Sequence, residues 1–94
     1  MTAESLVLNI AVNLGRIGRF ALEGRKHRVD QFLLETEEYL KQLDNTQIQD
    51  RFKPTLEFFL QQFGSLKNDI QLDETWAEAM FTWANILTHR AKLA

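Results

Sequence analysis

Residues 3–22 read AESLVLNIAVNLGRIGRFAL, and their apolar side chains recur at helical spacing. Wound at about 100° per residue, Leu6, Ile10, Leu14, Ile17, Phe20 and Ala21 make one stripe. Ala11, Gly15, Gly18 and Leu22 make a second beside it, and Asn9, Asn13, Arg16, Arg19 and Glu23 mark a polar wedge. A helix of this kind has two surfaces to bury. A glycine inside a helix costs about 1 kcal/mol relative to alanine, so Gly15 and Gly18 predict close approach by another backbone, in this chain or in a second copy.

Working outward, the first helix runs from Ala3 to Leu22, with Thr2 as its cap, Glu4 favourably placed on the helix dipole and Gly24 as its stop. The second carries the stripe Val29, Phe32, Leu33, Thr36, Tyr39, Leu40 and Leu43 and ends at Asp44 and Asn45. In the third, Ile48, Phe52, Leu56, Phe59, Leu60 and Phe63 keep one phase across Pro54. That continuity predicts a single helix capped by Asn45 or Thr46, kinked at Pro54 and closed by Gly64 and Ser65. The competing reading breaks the chain at Lys53 and places Pro54 at the first helical position. Asp73 caps the fourth helix, whose stripe is Trp76, Met80, Trp83, Ala84, Leu87 and Ala91. No alternating run of strand type occurs. The expectation is an all-α, antiparallel up-and-down four-helix bundle over residues 1–94, a single domain.

Composition narrows the function classes. The 94 residues suffice for one modest core, near the size where oligomerisation adds useful stability. The chain has no cysteine, so disulfides, thiolate metal sites and a cysteine nucleophile are excluded, and the cytoplasm is the expected compartment. Leu6 to Leu14 is too short, and too interrupted by Asn9 and Asn13, to span a membrane. Net charge is −2 but unevenly spread, since Arg16, Arg19, Arg25, Lys26 and Arg28 stand against Glu23 alone between residues 16 and 28. Such a dipolar molecule pairs its own ends, a copy, or an acidic partner.

Leu34, Phe58, Phe81 and Ile86 fall off their helices' main stripes. Collected into one patch, with Ala11, Gly15 and Gly18 of helix one, they would form a self-complementary interface for a two-fold dimer. Asn9 and Asn13, a turn apart, are either a solvated wedge or amides that fix pairing register at that interface.

Motifs for chemistry are sparse. Gly15-Arg-Ile-Gly18 matches the GxxG clamp of an RNA-binding module only formally, because that module needs strands and this segment continues a helix. The basic run Arg25-Lys-His-Arg28, with Arg16 and Arg19 upstream, could meet phosphates. Overall acidity and the absence of aromatic residues within the run weigh against nucleic acid. His27 has Glu23 and Asp30 at helical spacing, but Gly24 interrupts that face, and His89 has only Glu78 and Asn85 as neighbours, so no metal site is expected. There is no phosphate loop, GxGxxG or GxSxG, hence no catalytic residue, cofactor or small-molecule substrate is expected.

Leu14-Gly-Arg-Ile-Gly-Arg-Phe20 and Trp83-Ala-Asn-Ile-Leu-Thr-His-Arg-Ala-Lys-Leu-Ala94 resemble segments of a small uncharacterised all-helical family of cyanobacterial type. The resemblance implies a cytoplasmic protein from a photosynthetic bacterium and transfers no activity. The expected function is non-catalytic protein contact, as a homodimer or with another protein. The alternative is a nucleic-acid-associated regulator using the 16–28 cluster.

Overall fold

Thr2 caps helix α1 (Ala3–Leu22) by accepting a hydrogen bond from the Ser5 amide at 3.1 Å. At the other end Gly24, with φ of +69°, sits in the left-handed region that favours glycine. The Arg25 amide then reaches Phe20 O at 2.9 Å and the Gly24 amide reaches Ala21 O at 3.1 Å, the paired closing bonds of a Schellman turn. The chain reverses at once into α2 (Lys26–Asp44). Two further helices follow, α3 (Lys53–Asn68) and α4 (Glu74–Arg90), the latter capped by Asp73 accepting from Trp76 N at 2.9 Å. The computed structural model describes all residues 1–94; there is no strand, and 3-10 turns cover Asp50–Phe52 and Ala91–Leu93.

The expected all-α four-helix bundle is what the chain forms. Neighbouring helices run antiparallel, as shown by Asn13 against Glu35 between α1 and α2, and Glu37 against Lys67 between α2 and α3. Thr55 meets Arg90 and Leu66 meets Trp76 between α3 and α4, and Gly18 meets Phe81 between α1 and α4. Leu6, Ile10, Leu14 and Ile17 are almost wholly buried, each worth about 1.5–3 kcal/mol. Phe52, Phe59, Phe63, Trp76 and Trp83 fill the opposite side of the same core. The Phe59 ring stacks on Phe63 and meets Trp83 edge-on, both with centroids 5.3 Å apart.

Three local expectations are corrected. Pro54 does not kink a long helix. It lies in the first turn of α3, where a missing N–H loses nothing, and the 3-10 turn at Asp50–Phe52 carries the apolar phase across the break. Asn45 and Thr46 close α2 instead of capping α3, their side chains donating to Lys41 O at 3.2 Å and Gln42 O at 2.8 Å. Gly64 does not end α3, which continues to Asn68; there the Trp76 indole N–H donates to Leu66 O at 3.0 Å and ties α3 to α4.

Candidate functional site

Two surface features arise from α1, the helix that buries the most of itself. The first is its outward face. Ala11 is buried within the protomer, and Gly18 lies beneath the Phe81 ring of α4, so these two serve internal packing and not an external interface. Gly15 is different: a Cβ there would meet nothing within 4 Å. Around Gly15 stand Leu8, Val12 and Leu22, exposed at 39%, 53% and 53%, with Phe81 at 37% alongside on its bed of Gly18. Residues three, four and seven apart on a helix share a face, so these side chains form one apolar strip along α1. Arg19 also belongs to that face. Its guanidinium folds away onto the Phe20 ring, 5.2 Å from the centroid, and takes the charge off the strip.

The remaining off-stripe residues do not gather there. Phe58 packs edge-on against Trp83, with centroids 5.4 Å apart, and joins Ile86 in a cleft of about 290 Å³ between α3 and α4. Leu34, 66% exposed, projects from α2 beside α3. The single patch expected from Leu34, Phe58, Phe81 and Ile86 is therefore split over three faces. Leu8 and Val12 were hidden from sequence reading because Val7, Leu8, Ala11 and Val12 are apolar on both sides of the helix, and only the packing of α2 and α4 tells which side is covered.

The second feature is the end of the bundle where α1 turns into α2. The half-buried rings of Phe20 and Phe32 stack at 5.7 Å between centroids. Arg16 lies over Phe32 at 5.5 Å, while Arg19 and Arg25 lie over Phe20 at 5.2 and 5.1 Å. Arg28, one turn before Phe32 on the same side of α2, donates to Gln31 Oε1 at 3.1 Å. Lys26 is bound to Asp30 at 2.9 Å and Arg25 reaches Glu23 at 3.5 Å, whereas Arg16, Arg19 and Arg28 have no carboxylate partner. The absence of aromatic residues expected for this cluster is thus corrected: Phe20 and Phe32, 12 positions apart in sequence, become its floor.

Asn13 is neither a solvated wedge nor an external amide. It is almost fully buried, donates to Glu35 Oε1 at 3.4 Å and accepts from Arg16 at 3.3 Å, a polar link between α1 and α2. Most other titratable groups are exposed. The displaced pair is Asp50 and Lys53, 2.8 Å apart, in which their hydrogen bond and mutual attraction lower the carboxyl and raise the ammonium pKa. Asp50 borders the largest cleft, about 820 Å³, where the start of α1, residues 47–51 and the C-terminal turn meet. Arg51 crosses that cleft to donate to the carbonyls of Leu93 and Lys92 at 3.4 and 3.3 Å, a structural clamp. His27 and His89 are exposed, and no three His, Asp or Glu side chains are grouped for a metal ion.

No known protein family, curated protein or solved structure matches the chain. No helix is long and apolar enough to cross a membrane.

Proposed function

We propose that this protein is a non-catalytic contact module that works as a homodimer, joined through the outward face of α1. The observation that carries this reading is the apolar strip of Leu8, Val12 and Leu22 around an uncovered Gly15, on a helix whose inward side is buried. An in-helix glycine with open space above it fits close approach by a second backbone, which offsets its cost in helix propensity.

A second copy suits this face because the strip is self-complementary. With α1 crossing its counterpart antiparallel about a two-fold axis near Gly15, Leu8 of one copy opposes Leu22 of the other. Val12 then meets the Phe81 ring where it covers Gly18. The same symmetry brings the acidic start of α1, Glu4, to the basic Arg25–Lys26 corner of the second copy. The apolar strip and the placement of charge both favour an isologous pairing. The cytoplasm is the setting we propose, as a cysteine-free chain draws nothing from an oxidising compartment.

Light-scattering mass over a concentration series, at low and high salt, tests this reading. A dimer that persists in high salt and becomes monomeric on Val12→Glu, a change at an exposed helical position, is the expected result. A wild-type monomer at every concentration overturns it.

A further inference from the structure

Beyond self-association, we infer that the Arg16–Arg19–Arg25–Arg28 face is a binding site for the phosphate backbone of nucleic acid, contacted without reading its bases. Three guanidinium carbons sit within 5.5 Å of an aromatic ring centroid, over a pair of stacked rings themselves 5.7 Å apart. An arginine held this way has lost much of its rotamer freedom before any ligand arrives, and its planar fork suits the bidentate geometry of phosphate. Preorganisation lowers the cost of binding.

The charge is also available. Arg16, Arg19 and Arg28 have no carboxylate partner, and the Arg25–Glu23 contact at 3.5 Å is exposed on both sides, where such pairs are weak. Carboxylates dominate the rest of the molecule, since the whole chain carries −2 despite this basic corner. A polyanion would therefore be held at this corner and turned away elsewhere.

The rings choose between classes of partner. A protein interface needs an apolar core in which to seat an anchor side chain, but here the guanidiniums cover the Phe20 and Phe32 faces. The same covering denies the rings to stacking bases, which single-strand binders with sequence-tolerant platforms require. What remains is a group of N–H forks with Glu23 as its one exposed carboxylate, suited to phosphate oxygens and indifferent to sequence.

The test is fluorescence anisotropy of the full chain with a labelled mixed-sequence single-stranded DNA and its duplex, over a salt series. Binding should fall steeply with salt, with a log–log slope of about −2 to −3 for three or four neutralised phosphates on the single strand. Arg16→Gln and Arg25→Gln should each reduce the slope by about 0.7. Lys41→Gln, an equal charge change at a 73% exposed side chain on α2 away from the corner, should leave it unchanged. Phe32→Leu keeps every charge, so it should weaken affinity several-fold with the same slope, circular dichroism showing that the helices persist. Absence of binding to either DNA at low salt overturns the proposal, as does equal loss with Lys41→Gln. Binding to poly-glutamate as tight as to DNA overturns it in favour of an acidic protein partner. Because DNA binding and its salt slope are read from titration midpoints, whereas the dimer is read from the mass of the free protein, failure here is distinct from failure of the dimer.

Discussion

The Phe81 ring of α4 rests on Gly18 of α1 so closely that a Cβ at position 18 would stand 2.6 Å from its Cε1 atom and 2.9 Å from Cδ1 and Cζ. That contact is tighter than side chains tolerate, so any residue but glycine displaces the ring. Gly18→Ala should therefore fail to deliver the gain of about 1 kcal/mol in helix propensity. In a Phe81→Ala background the same change should stabilise. A double-mutant cycle by urea denaturation checks this, with a coupling of about 1 kcal/mol or more expected; additive effects would show that the ring moves aside freely.

Gly15, one turn earlier, has no such neighbour. Gly15→Ala should raise the stability of the isolated protomer by about 0.5–1 kcal/mol, measured at a concentration below dimerisation. Gly15→Leu should leave the fold intact and weaken self-association, because bulk is added only where a second helix would cross. Unaltered dimer mass in Gly15→Leu would place the association surface elsewhere.

Asn13 bridges Arg16 and Glu35 inside the protomer. Replacing it with alanine leaves the half-buried Glu35 without a donor and opens space beside α2, costing about 1–3 kcal/mol. Thermal unfolding should show the loss, while the oligomeric state stays as in the wild type. A changed oligomer without loss of stability would contradict an internal role.

The Asp50–Lys53 pair supplies a pH signature at the start of α3. Asp50 is lowered from its ordinary 3.8 by its bond to Lys53, so its contribution is present above that value and disappears as pH falls through the folded pKa. Lys53 is raised from 10.5, so its share is present below 10.5 and disappears as pH rises through the folded pKa. Between those limits the contribution is flat. Lys53→Met should return Asp50 towards 3.8 in a carboxyl-resolved NMR titration, with little change in melting temperature, since the pair is exposed. An unmoved Asp50 would show that Lys53 is not its partner in solution.

The four helices and their buried stripes follow from residues three and four apart, because helical periodicity is a local property of the chain. Thr2, Gly24 and Asp73 mark helix ends for the same reason: a cap is made by residues within one turn of the group it satisfies. Pro54 was ambiguous because both readings put Phe52 and Phe59 on the core side; the 3-10 turn at Asp50–Phe52 preserves the phase that a kinked helix would have kept.

Tertiary packing alone decided what the small residues and the charges do. Gly15 and Gly18 fall in the same stripe of a helical wheel, yet α4 sets a phenyl ring over one and leaves the other open. Asn13 and Arg16 lie in the same polar wedge, but α2 buries the amide against Glu35 and draws the guanidinium onto Phe32. The Phe20–Phe32 floor beneath the arginines exists only because the Gly24 turn folds α2 back along α1. The periodic elements and their ends arise from forces acting within a turn or two of the chain. Which faces are covered, and so which surfaces remain to bind, depended on contacts between residues remote in sequence.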